Sequence, residues 1–184
     1  MALEHALLVS LSEQPASGQE LSHRFARSIG FFWHATHQQI YRVLNRMEKD
    51  GWVEVSEVHA PGKPTQKQYA VTPAGSQALS VWLAQPTEPH ALRSELAVKL
   101  RGASFGEVES VLDVVRTNLA DHQTRLGHYE QLMRRDYPDP DLLDGLALDQ
   151  YLVLRGGVLT EQTWVTWLTE YLDRRSVPSA LEAP

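Results

Sequence analysis

Residues 31–72 read FFWHATHQQIYRVLNRMEKDGWVEVSEVHAPGKPTQKQYAVT, and a change of period inside this stretch decides the fold. From Thr36 to Asp50 the apolar residues Ile40, Val43, Leu44 and Met47 recur at helical spacing, which turns one face inward. Gln38, Arg42, Asn45 and Lys49 fall on the opposite face, with Gln39 and Arg46 on its flank. Thr36 can cap this helix while Gln39, three residues on, reaches back to complete a capping box. Gly51 directly after Lys49 and Asp50 is the stop signal.

After Gly51 the period becomes two. Trp52, Val53, Val55 and Val58 make one short β-rich run, and Gln68 to Thr72 make another. Between them His59 to Gln66, with two prolines and a glycine, reads as a hairpin tip. A polar-faced helix followed at once by a hairpin with a basic tip is the outline of a winged helix-turn-helix. Amide and guanidinium groups on such a helix can make paired hydrogen bonds to base edges or phosphates. An ordinary solvated helix beside an ordinary hairpin would show the same pattern.

Upstream, residues 3–12 predict a helix with Leu3, Ala6, Leu7 and Leu11 on one side and Glu4 outside. Residues 15–18, PASG, break it, and Ser17 or Gly18 can start a second helix whose apolar stripe is Leu21, Phe25 and Ala26. Residues 28–35 connect to the third helix. Helix, turn, helix, longer turn, helix, hairpin is the element order of a winged helix and fills about 75 residues.

With these residues in place, the chain resembles the PadR family of bacterial transcriptional regulators. The resemblance rests on the aromatic residues Phe31, Phe32 and Trp33, on Gln39 to Leu44, on Met47 to Gly51, and on Tyr69, Thr72 and Gly75 at their mutual spacing. It covers roughly residues 1–85. One departure is visible: the family often has Arg just upstream of the closing strand, where this chain has Lys67 and Gln68. The resemblance implies DNA binding by the third helix and wing, a C-terminal helical dimerisation region, and sensing of phenolic or other flat hydrophobic molecules.

Ala74 to Leu83 predict a linking helix with Ala78, Leu79 and Trp82 as its buried side. The run QPTEP at 85–89 ends it, so the expected domains are 1–85, DNA-binding, and 86–184, dimerisation and effector sensing. The second half is helical in pattern: Ala91 to Arg101, Ser104 to Arg135, and about Asp141 to Arg174. In the second of these, Val108, Leu112, Val115, Leu119, His122, Leu126, Tyr129 and Met133 alternate steps of four and three, a heptad seam. In the third, Leu148, Leu152, Leu159, Thr163, Trp167 and Tyr171 form the expected stripe, widened by Trp164 and Leu168. The glycine pair Gly156-Gly157 inside it suggests close contact or a bend. Stripes this long point to a homodimer through Leu112, Val115, Leu119, Leu126, Leu152 and Leu159; the alternative is a helical hairpin within one chain. The fold class is thus mainly α, an N-terminal winged helix with a small hairpin plus a coiled-coil-like C-terminal domain.

The net charge of −6 is unevenly placed. Residues 1–75 hold seven basic and seven acidic residues, so the whole deficit lies in the second half, and local charge sets attraction to phosphate. The expected DNA contacts are Thr36, His37, Gln38, Gln39, Tyr41, Arg42 and Arg46 on the third helix, and Lys63 and Lys67 on the wing. Tyr41 either bonds a phosphate or caps the core. Trp82, Trp164 and Trp167 are candidates for an effector pocket or plain core. His34 and His37 lie one turn apart but lack nearby ligands to complete a metal shell, and no metal or cofactor is expected. There is no cysteine, Gly-rich phosphate loop or nucleophile elbow, which argues against an enzyme. No apolar run approaches membrane-spanning length and no basic leader precedes Glu4, so a cytoplasmic location is expected. The expected function is a homodimeric repressor on a palindromic operator, released by a small hydrophobic or aromatic signal. A protein–protein adaptor without DNA is the rival.

Overall fold

The structure, a computed structural model, describes residues 2–27, 35–59, 66–87 and 94–176. It divides into two compact units, Met1–Pro89 and His90–Pro184. In unit 1 the order is α1 (Ala2–Glu13), β1 (Ala16–Ser17), α2 (Gly18–Arg27), α3 (His37–Lys49), β2 (Val53–Val58), β3 (Gln66–Val71) and α4 (Pro73–Leu83). This is a mainly helical winged helix. Phe31, Phe32, Trp33, His34 and the hairpin tip with Lys63 lie outside the described residues.

α1 is enclosed more widely than its expected stripe: Leu8 is buried beside Leu7 and Leu11, and so are His5 and Ser10. These leucines meet Leu21 and Phe25 of α2, Ile40, Leu44 and Met47 of α3, and Val53, Tyr69 and Leu79 in one core. Burying each such side chain contributes roughly 1.5–3 kcal/mol before the entropy of ordering it. Between α1 and α2, where only a break is legible in the sequence, Ala16 and Ser17 form an edge strand on β3, opposite Tyr69 and Gln68. The sheet order is β1-β3-β2, all antiparallel, with Val53 opposite Val71 and Val58 opposite Gln66. Two residues are too few to show a period of two.

Where α3 ends, four backbone groups are tied together. Gly51 takes φ +71°, the Trp52 amide donates to the Met47 carbonyl (2.8 Å), and the Gly51 amide donates to that of Glu48 (3.1 Å). That pair of bonds is a Schellman motif. The Thr72 amide donates to the Trp52 carbonyl (3.0 Å), and its hydroxyl donates to the Gly51 carbonyl (2.6 Å) while accepting from the Gly75 amide (3.1 Å). Thr72 is thereby the cap of α4, with Pro73 in the first turn. A Cβ on Gly75 would sit 2.1 Å from the Trp52 carbonyl oxygen.

Unit 2 holds α5 (Glu95–Gly102), a single 3-10 turn at Ala103–Phe105, α6 (Val108–Asp136), a second turn at Pro140–Leu142, and α7 (Gly145–Ser176). α5 starts at its Ser94 cap, and the expected start at Ala91 lies outside the described residues. α6 begins four residues after the expected Ser104, because Gly106 is extended (φ −140°, ψ −163°) and interrupts the helix. α7 begins at Gly145 (φ +48°) rather than Asp141, after the Pro140 turn.

α6 and α7 pack against each other within the chain. Leu100, Val115 and Leu168 are buried together, His122 meets Glu161 and Trp164, Tyr129 lies over Gly157, and Tyr137 meets Tyr151. The Tyr171 hydroxyl donates to the Leu100 carbonyl (3.2 Å) and joins α5 to this pair. The α6 seam holds as read, every member being buried or half-buried. The α7 stripe holds in part: Leu148, Trp164 and Tyr171 are half-buried and Leu168 is buried. Its inward side carries Val158, Glu161 and Leu168, whereas Leu152 (53%), Leu159 (48%) and Trp167 (38%) stay exposed and Thr163 is exposed with them. Glu161 is the inward position that apolar periodicity cannot mark.

Replacing Gly75 with alanine should destabilise unit 1 by about 3 kcal/mol, since backbone rather than a flexible side chain must yield. Urea denaturation of Gly75→Ala beside the parent protein measures it.

Candidate nucleic-acid interface

The two helices of the helix-turn-helix, α2 and α3, start with the same reciprocal cap. At α3, Thr36 Oγ1 accepts from the Gln39 amide (3.3 Å) and Gln39 Oε1 accepts from the Thr36 amide (2.8 Å), the box expected from the sequence. At α2, the Ser17 amide donates to Glu20 Oε2 (2.7 Å) and the Glu20 amide donates to Ser17 Oγ (3.2 Å). Hydrogen bonds from Ser17 hold the Glu20 carboxyl below its ordinary pKa. α2 is also fastened from behind: Arg24 donates to the Gln14 carbonyl (2.7 Å) and to that of Ser10 (3.3 Å), at the end of α1.

With α3 seated, His37, Gln38, Gln39, Arg42, Asn45 and Lys49 are exposed along one side. Thr36 and Gln39 bond each other, so Gln39 keeps its amide N–H groups for an outside acceptor. Arg42 has no ion-pair partner among the described residues. Tyr41 is half-buried, and its ring lies so close to the start of α2 that a Cβ on Gly18 would sit 2.5 Å from Tyr41 Cζ. His37 leans on that ring at 4.6 Å. Beneath α3, burial first and Glu48 second push the Tyr69 hydroxyl pKa up, so it stays neutral.

The surroundings of Arg46, Glu4 and Lys67 differ from those expected. Arg46 is not a free cation of this face: its guanidinium is ion-paired with Glu4 of α1. Glu4, read as an outside residue, is turned in, with its side chain only 13% exposed. No spacing rule links positions 42 residues apart, so this pair was illegible in the sequence. On the wing, Lys67 is exposed but stands across from Glu57 in the β2–β3 register, which weakens its appeal to phosphate.

The candidate effector tryptophans fall in different units. Trp82 stacks on His5 (4.4 Å, 6° between planes) and, with Trp52, Ala78 and Val81, lines an open groove of unit 1. Trp164 stacks on His122 (4.9 Å) and tilts against Trp167 (5.2 Å) in unit 2. Of the six residues expected at a dimer interface, Leu112 and Val115 are enclosed within one chain, Leu119 and Leu126 are half-buried, and Leu152 and Leu159 remain on the surface. No group of three or more His, Asp or Glu able to hold a metal occurs among the described residues. No described helix is long and apolar enough to cross a membrane.

Comparison with known proteins matches residues 7–81 to the transcriptional regulator PadR-like family and residues 92–174 to the virulence activator alpha C-terminal family. A probable transcriptional regulator of Mycobacterium tuberculosis is 45% identical over 180 residues, covering 92% of this chain and 95% of that one. The Vibrio cholerae virulence activator AphA matches with a TM-score of 0.77 at 32% identity, covering 94% of this chain and 97% of AphA. The negative transcriptional regulator PadR of Bacillus subtilis is 29% identical over 176 residues, covering 92% and 95%. Its structure in complex with operator DNA superposes with a TM-score of 0.84 (24% identity, 94% and 97% covered). The same protein is also known in complex with p-coumaric acid, with a TM-score of 0.76 (24% identity, 95% and 98% covered).

Ser17→Ala and Thr36→Ala should each lower stability by about 1 kcal/mol at neutral pH. Because the folded pKa of Glu20 is depressed, its share is complete above the usual carboxylate range and is lost as pH falls through it. The cost of Glu20→Ala should therefore shrink on acidification, since it removes the carboxylate that accepts from the Ser17 amide, while that of Thr36→Ala, whose partner Gln39 does not titrate, should not. Thermal melts of these two variants at pH 7 and pH 3.5 separate them.

Proposed function

The chain belongs to the PadR-like family of transcriptional regulators, and on that footing we propose that it is a sequence-specific DNA-binding repressor acting as a homodimer. The observation that carries this is the outward side of α3: Gln38, Arg42, Asn45 and Lys49 are exposed, and Arg42 is unpaired among the described residues. That side offers paired donors for a major groove, and helix N-termini are where groove-reading side chains usually sit. The operator complex of Bacillus subtilis PadR, built on the same fold, supports the choice of duplex DNA as partner. Thr36 and Tyr41 support this helix from within the site, while Gln38, Gln39, Arg42 and the wing lysines Lys63 and Lys67 meet the DNA. A protein that works on DNA in this way acts in the cytoplasm, and it needs no catalytic group of its own.

Leu152, Leu159 and Trp167 form a second apolar side of α7, and a second copy of the chain covers it in our reading. Two-fold symmetry then calls for a palindromic operator with recognition helices about 34 Å apart or a multiple of that. The complex of Bacillus subtilis PadR with p-coumaric acid supports a small aromatic effector here too, with either Trp82 in unit 1 or Trp164 and Trp167 in unit 2 as candidate contacts. Binding of the effector alters the separation of the winged helices and releases the operator. Activation is the second reading, favoured by the match of residues 92–174 to the virulence activator family. A reporter fused to the operator in cells with and without the gene decides the direction.

Arg42→Ala should weaken binding to a labelled fragment of the upstream DNA about tenfold or more, read by fluorescence anisotropy across a salt series. Equal affinity of variant and parent would promote the adaptor reading. Leu159→Asp should shift the mass in sedimentation from dimer to monomer with helix content retained; an unchanged dimer would place the interface elsewhere.

A further inference from the structure

We propose that Glu4 is a positioning residue for DNA recognition: it withholds Arg46 from phosphate, leaving Arg42 as the arginine through which α3 engages DNA. This rests on the DNA-binding function proposed above. Arg46 follows Arg42 by four residues, one helical turn along α3, with Arg42 on the polar face and Arg46 on its flank. The structure separates them. The Arg46 side chain is 41% exposed and ion-paired with Glu4, whose own side chain is 13% exposed.

Glu4 cannot follow Arg46 outward. It sits one turn ahead of Leu7 and Leu8 and two turns ahead of Leu11, which anchor α1 in the core. If Arg46 swung to a phosphate, a cation would leave a carboxylate that is almost out of water, which is costly, and a second anion would draw near it. A phosphate gains Arg42 with no such loss. The consequence concerns specificity more than affinity. Each cation engaged with phosphate releases counterions and adds about 0.9 to the salt slope, whatever the sequence bound. Holding one arginine back lowers attraction to all DNA while leaving the base-reading groups of α3 in place, and so raises the ratio of operator to non-specific binding.

The test is anisotropy of the full-length protein on operator and scrambled duplexes across a salt series, for the parent, Glu4→Gln, Arg46→Gln and the double variant. Glu4→Gln keeps the side-chain shape, frees Arg46, and should steepen the slope by about one while lowering the operator-to-scrambled ratio. The double variant should return the slope to the parent value, and Arg46→Gln alone should leave it unchanged. A slope lower by about one for Arg46→Gln would overturn the proposal, because Arg46 would already be on phosphate. An unchanged slope for Glu4→Gln would overturn it as well. If Glu4→Gln fails to fold by circular dichroism, Arg46→Gln decides by the same criterion. A parent protein that binds neither duplex at any salt overturns the DNA function itself, before any variant is compared.

Discussion

The junction at Gly51, Trp52, Thr72 and Gly75 is the constraint on which the winged helix depends. One threonine hydroxyl bridges the carbonyl that follows α3 and the amide that begins α4, while its own amide takes the Trp52 carbonyl. The end of α3, the start of β2, the end of β3 and the start of α4 therefore meet in one hydrogen-bonded knot. The knot closes only because Gly51 tolerates a positive φ and Gly75 leaves room for a carbonyl. It also explains a pattern seen in the sequence: Tyr69, Thr72 and Gly75 recur at fixed offsets because Tyr69 is buried under α3, Thr72 caps, and Gly75 makes way.

Seating α3 is what this architecture is for. The helix is held at its start by its own capping box, at its end by the Schellman turn, at its flank by Glu4, and at Tyr41 by the backbone of Gly18. Such support on every side presents polar groups without leaving their carrier free to shift, which keeps the entropy of ordering out of the binding step.

Much of this was legible in the sequence, and the reason is locality. Thr36 and Gln39 are three residues apart, Gly51 follows its helix directly, and the α6 seam repeats every seven residues, so short-range chemistry decides each. What was illegible depends on distant partners. β1 exists because β3 offers it an edge, and Glu4 turns inward because Arg46 awaits it. The α7 stripe was misjudged in part, for a related reason. A ranking by hydropathy selects Leu152 and Leu159 and rejects Glu161, yet Glu161 is the residue enclosed, because His122 and Arg125 of α6 supply its partners. The sequence puts each candidate tryptophan on a helix face without saying which of them meet, and the structure sorts them into separate units.

The Glu161 cluster has a further consequence for how the helical hairpin is aligned. Two long helices lined with leucine and valine can slide past each other by one heptad and still bury hydrocarbon, so apolar packing alone tolerates several alignments. His122 Nδ1 lies 2.5 Å from Glu161 Oε2, and Arg125 Nε lies 3.2 Å from Glu161 Oε1. A slip of seven residues would set that carboxylate against Val115 or Tyr129 and break its short contact with His122. The polar cluster thus works as a detent, trading some of the stability that an all-apolar interface would provide for a single permitted alignment of α6 on α7.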